Sequence, residues 1–173
     1  YFSIIENSGN MNYSGIINCT IVDGNGFRVA LYLSGCNHKC EGCHNKETWD
    51  FNFGKEYTHK VEEILFDRID KPFIKGLTLT GGDPLYHSTE VLGLLKRFRE
   101  RFGDTKDVWL YTGFTMEEIN RSDDLKPKVI ELCDYVVDGR FEISKRDTSL
   151  PFRGSKNQII WEKSENGMFE HSS

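Results

Sequence analysis

At 173 residues, 38% hydrophobic and 28% charged, the chain is long enough for one domain with a substantial core and ordinary for a globular protein in water. Its net charge of -5, from 22 basic against 27 acidic residues, gives no cationic footprint for a phosphate backbone, so no nucleic acid is expected as a partner. No apolar run approaches the ~20 residues of a membrane helix, and no basic-apolar leader is evident, so neither a membrane nor export is indicated.

Residues 1–10 precede Met11, a natural start, and are expected to be a cloning remnant or an extension; residues 11–173 read as a single domain. "FRVALYL" (27–33) is almost continuously apolar and β-branched, as a buried parallel strand is. "THKVEEILFDRID" (58–70) opens on the candidate cap Thr58 and carries Val61, Ile64, Leu65 and Ile69 at helical spacing. "IKGLTLT" (74–80) predicts the next strand. "STEVLGLLKRFRERF" (88–102) predicts a helix with Val91, Leu92, Leu95, Phe98 and Phe102 on one face. "DVWLYT" (107–112) is a third strand and "TMEEIN" a short capped helix. "PKVIELC" adds a helical turn, "DYVVDG" a fourth strand and "NQIIW" (157–161) a fifth. Strands alternating with helices predict βαβ units and a parallel sheet. A closed barrel of eight units needs ~250 residues, so the expected fold is α/β, a partial, open parallel barrel of five or six units.

The unusual polar segments all follow strands: the loop "GCNHKCEGCHN" (35–45), "GGDP" (81–84), "YTGF" (111–114) and "DGRFE" (138–142). Carboxyl ends of parallel strands share one rim, where ligands bind. Three of the five cysteines, Cys36, Cys40 and Cys43, fall inside eight consecutive positions of the first of these segments. So crowded a set favours a cytosolic metal or redox site over disulfides, and a cytoplasmic location is expected. Spacing alone fits two metals: zinc, with His38, His44 or His87 as fourth ligand, or an iron–sulfur cluster with one iron left open for a reactant. Cys19 and Cys133 have apolar sequence neighbours and read as buried thiols. Alone, "GGDP" would be a turn and Asp138 with Arg140 a surface pair.

"CNHKCEGC" matches the Cys-x3-Cys-x2-Cys signature of the radical S-adenosylmethionine enzymes, and "TGGDP" resembles their methionine-binding segment. "DGNGFRVALYLSGC" resembles the lead-in shared by activases of glycyl radical enzymes. "GCHNKETW", "YTGF", "VDGRFE" and "RGSKNQ" narrow the resemblance to activases of anaerobic ribonucleotide reductase, over about residues 11–161. The resemblance implies that Cys36, Cys40 and Cys43 ligate a 4Fe–4S cluster whose open iron is chelated by S-adenosylmethionine. It places Gly81, Gly82 and Asp83 at the methionine end of that cofactor, Asp83 standing where many relatives have Glu. Gly42, Cys43, His44, Tyr111, Thr112 and Asp138 complete the cofactor site, with Gly42 where an aromatic residue is frequent. Trp49, Arg140 and Arg153 flank an entrance for the partner's loop. The implied partners are the large reductase subunit, whose glycine loses a Cα hydrogen, and an external one-electron donor such as flavodoxin. The rival readings are an activase of another glycyl radical enzyme, of the formate lyase type, and a non-catalytic iron–sulfur or zinc module.

Overall fold

A computed structural model describes residues 11–172; the expectation for residues 1–10 lies outside the described residues. The chain runs β1 (Asn12–Thr20), β2 (Arg28–Leu33), β3 (Lys55–Glu56), α1 (His59–Ile69), β4 (Gly76–Gly81) and α2 (Ser88–Phe102). It continues through β5 (Asp107–Tyr111), α3 (Met116–Arg121), α4 (Lys126–Glu131), β6 (Tyr135–Asp138), β7 (Ile159–Lys163) and β8 (Phe169–His171). Short 3-10 turns cover Lys46–Trp49, Pro84–His87 and Ile143–Lys145. Among the described residues one sheet forms, in the order β3-β1-β2-β4-β5-β6-β7-β8. Among the described residues no helix is long and apolar enough to cross a membrane.

The predicted strands β2, β4, β5 and β6 are adjacent and parallel, with Leu33 opposite Gly81 and Tyr111 opposite Val137. Helices join them, as parallel crossovers require. The fifth predicted strand is present as β7 but runs antiparallel to β6. The connection before it holds only the turn Ile143–Lys145, so the chain reverses instead of crossing over. With β1 antiparallel to β2 and β8 antiparallel to β7, the sheet is mixed rather than wholly parallel.

Both faces of the central strands are covered, which explains the apolar runs of β2, β5 and β6; in β4 Leu77 and Leu79 alternate with Thr78 and Thr80, and Thr78 is fully buried. Val29, Leu31, Leu33, Leu77, Leu79, Val108, Leu110 and Val136 join the main core with Leu95 and Phe98 of α2. Fully burying each such side chain stabilises by ~1.5–3 kcal/mol. Thr58 caps α1 by accepting from Val61 N, and Thr115 and Glu118 form a reciprocal capping box on α3. On α1 the buried stripe is Leu65, Phe66 and Ile69, while Ile64 turns outward.

Arg28 is fully buried on the other face. Its Nε donates to Thr78 Oγ1 at 2.8 Å, Nη1 to Asn25 O at 2.9 Å and Nη2 to Leu77 O at 2.9 Å. Nη2 also lies 2.6 Å from Asp107 Oδ1, a charge contact without hydrogen-bond alignment. The Arg of "DGNGFR" thus ties the β1–β2 turn to β4 and β5. Gly24, at φ +120°, packs against the Trp109 ring with no room for a Cβ.

Candidate functional site

Beyond Leu33 and Gly81 the β2–β4 pairing continues into the two motifs. Gly82 N donates to Leu33 O at 2.7 Å and Asp83 N to Gly35 O at 3.0 Å. Gly35 N donates to Thr48 O at 2.6 Å and Cys36 N to Trp49 O at 3.3 Å, so the loop's two ends close on each other. His87 Nε2, donating to Ser34 O at 2.7 Å, adds a side-chain tie. A Cβ on Gly82 would stand 2.7 Å from Gly35 O and 2.8 Å from Thr48 O. Gly81, at φ +102°, would bring one 2.5 Å from Leu33 N. What lies against the missing side chains of both glycines is the protein's own backbone. They let two loops become one rigid rim.

Cys36 is buried, Cys40 and Cys43 are half-buried, and all three are unbridged. Cys43 N donates to Cys40 O at 3.1 Å, and Asn45 N donates to Cys43 Sγ at 3.4 Å. Burial pushes the Cys36 thiol up to about 11 and raises that of Cys40 as well. Both are therefore protonated at neutral pH until a metal displaces the proton. Three thiols on a pre-shaped loop suit an iron–sulfur cluster, in which each thiolate holds its own iron. Among the described residues no three His, Cys, Asp or Glu side chains gather closely enough around one point to hold a single ion. Of the histidines that could complete a zinc set, His38 and His87 have Nε2 committed within the protein, and His44 is exposed. The donor set fits the cluster.

Asp83 is 1% exposed. Its Oδ2 accepts from His38 Nε2 at 2.7 Å, Thr112 Oγ1 at 2.9 Å and Gly113 N at 2.9 Å. Its Oδ1 accepts from Leu85 N at 3.0 Å. This carboxylate is engaged by the protein on both oxygens. Asp138 is engaged likewise, by Met116 N at 2.7 Å and Ile159 N at 3.2 Å, so it joins α3 to β7. Gly42 has φ +78°, and a Cβ there would come within 2.7 Å of Ile143 Cδ1 and 3.2 Å of Phe141 Cε2. Ile143 and Phe141 thus fill the space beside Gly42, and the Phe141 ring lies 5.9 Å from that of His44.

Tyr111 and Arg153 line a pocket of about 450 Å³ together with Asp23 and Phe152. The Tyr111 hydroxyl and Arg153 Nε are buried there without hydrogen-bond partners among the described residues. Burial drives the Tyr111 phenol far above its ordinary range. Arg140 pairs with Glu118 at 2.5 Å over the Phe114 ring, and Trp49 is half-buried where the loop closes. A larger pocket, about 850 Å³, lies beyond β6 among Met116, Ile159 and Trp161 and includes none of the three loop cysteines. Two participants had no assigned place in the cofactor site read from the sequence, His38 and Phe141. Only the position of His38 between two cysteines signalled the first.

A family model described as a 4Fe–4S single cluster domain matches residues 22–161. An anaerobic ribonucleoside-triphosphate reductase-activating protein of Enterobacteria phage T4 is 40% identical over 163 residues, covering 93% of this chain and 99% of that one. The chain belongs to this activating-protein family. Members from Pasteurella multocida and Escherichia coli strain K12 are 41% and 38% identical, each match covering 87% of this chain and 97% of the relative. In family terms, the loop carrying Cys36, Cys40 and Cys43 lies inside the matched cluster domain.

Proposed function

We propose that the protein activates an anaerobic ribonucleotide reductase by generating a glycyl radical on its large subunit, using a 4Fe–4S cluster and S-adenosylmethionine. The observation that carries this reading is the single rim on which the loop bearing three unbridged thiols is hydrogen-bonded, through the Leu33 and Gly35 carbonyls, to the "GGDP" backbone. The activity for which these relatives are named supports it. When bound, the cluster and S-adenosylmethionine supply a reductive carbon–sulfur cleavage whose adenosyl radical takes a glycine Cα hydrogen.

In this reading Cys36, Cys40 and Cys43 hold three irons. The main chain of Gly81 and Gly82 orients the cofactor's methionine end. Asp83 acts through the rim it braces, since its oxygens are already engaged. Tyr111 O–H and Arg153 Nε–H, which face one pocket, are donors that would orient material bound there. Phe141 and Ile143 cover Gly42 and limit water at the loop. The parallel strands β2, β4, β5 and β6 form the core of the expected open barrel. An external one-electron donor of the flavodoxin type supplies the electron.

Anaerobic reconstitution followed by iron and sulfide analysis tests the metal assignment. About four irons and matching sulfide per chain are expected, lost on Cys36→Ala, Cys40→Ala or Cys43→Ala but kept on Cys133→Ala. Stoichiometric zinc without sulfide would overturn it.

A further inference from the structure

The cysteine loop carries a side chain that points neither to solvent nor to the thiols. His38 lies midway between Cys36 and Cys40, yet its side chain is only 4% exposed. Its ring is 4.6 Å from that of Phe114, edge-on, and 5.3 Å from that of Tyr86. Nε2 donates to Asp83 Oδ2 at 2.7 Å, and the same oxygen accepts from Thr112 Oγ1 and Gly113 N. Gly113 shows how tightly the ring is held: a Cβ there would lie 2.7 Å from His38 Nε2 and overlap the rest of the ring. The ends of β4 and β5 therefore grip the first turn of a loop whose two ends close on each other through Gly35, Cys36, Thr48 and Trp49. Beside His38, Lys39 sits exposed in the left-handed region at φ +53°, a conformation a non-glycine residue keeps only when its surroundings impose it.

We propose that His38, held by Asp83, Thr112 and Gly113, is a positioning residue that presets the Cys36–Cys40 turn before any cluster arrives and fixes the cluster's orientation against the "GGDP" rim. The orientation half rests on the function proposed above; the presetting half does not. An unbraced loop would have to order itself on binding and lose conformational entropy in doing so. A braced loop has met that cost at folding.

Two arms test it. In cluster-free protein, tryptic cleavage after Lys39 is followed by mass spectrometry, with cleavage after the exposed helical Lys60 as internal control. His38→Ala is expected to speed cleavage at Lys39 at least about tenfold with Lys60 unchanged, and His38→Gln, whose amide N–H can reach Asp83, to restore most of the protection. Gly113→Ala, which deletes no hydrogen-bonding group and only displaces the ring, should also speed it, and covers the case in which His38→Ala does not fold. Equal cleavage at Lys39 in the parent, His38→Ala and Gly113→Ala would overturn the proposal. In the reconstituted, reduced protein, His38→Ala should keep four irons but broaden the electron paramagnetic resonance signal and weaken its response to S-adenosylmethionine about tenfold, with His38→Gln again restoring it. A response unchanged in His38→Ala would overturn the orientation role. A parent protein that does not respond to S-adenosylmethionine refutes the proposed function instead, and the Lys39 arm still decides the presetting of the loop.

Discussion

Replacing Gly82 by alanine adds one methyl group at the tightest backbone crossing of the site. Its φ lies outside the left-handed region, so alanine suffers no conformational strain and, given space, would stabilise by ~0.4–1 kcal/mol through the unfolded chain. There is no space. The Cβ would stand 2.7 Å from Gly35 O and 2.8 Å from Thr48 O, both backbone atoms held in hydrogen bonds. Contacts involving carbon relax near ~3.5 Å, so one loop must retreat by roughly 0.7 Å. That displacement stretches the 3.0 Å bond from Asp83 N to Gly35 O beyond useful length. Losing it costs about 1–2 kcal/mol, and overpacking adds about 1–3, giving a destabilisation of about 3 kcal/mol. In urea unfolding of the cluster-free protein, with m near ~2 kcal/mol/M, the midpoint should fall by about 1.5 M. A midpoint within about 0.3 M of the parent would refute the reasoning, because the two loops would then not be one rigid unit.

Arg28→Met should destabilise by about 3–5 kcal/mol in the same assay, since it strands Asp107 and removes donors from Leu77 O, Asn25 O and Thr78 Oγ1; a loss below about 1 kcal/mol would contradict this. Burial pushes the Cys133 thiol up to about 12, so iodoacetamide at pH 8 should alkylate exposed Cys19 in the native protein and Cys133 only after denaturation, as read by peptide mass mapping. The hydrogen bonds from Arg140 and from Thr115 N hold Glu118 down to about 2. A carboxyl depressed on folding contributes stability above its unfolded value of ~4.3, and that contribution fades as pH falls toward about 2. Arg140→Gln should return the Glu118 titration, followed by nuclear magnetic resonance, toward ordinary values. With both side chains about half exposed, it should cost no more than ~1 kcal/mol at pH 7.

The parallel centre of the sheet was legible because strands covered on both faces run apolar without a break, as the buried Val29, Ala30 and Leu31 of β2 and Val108, Trp109 and Leu110 of β5 do. β1 was not. From Gly15 onward it has a partner on one side only, and before Thr20 its residues are exposed or half-buried, so the pattern is faint. For the same reason Cys19, apolar neighbours notwithstanding, is exposed, whereas Cys133 is buried as expected. The direction of β7 was illegible because it depends on what the preceding connection lacks. At the site, cysteine spacing announced the thiols, but the partners of Asp83 come from three separate segments, and no local pattern brings His38, Thr112 and Gly113 together. Gly113 has a role only once His38 is seen against it.

The proposed activity ends in radical transfer to a partner's glycine. The most direct measurement combines reconstituted, reduced protein and S-adenosylmethionine with an anaerobic ribonucleotide reductase carrying glycine deuterated at Cα. A glycyl radical signal on the reductase, with the deuterium recovered in 5′-deoxyadenosine, is the expected result. Cleavage of S-adenosylmethionine with every deuterium retained on the reductase would contradict it.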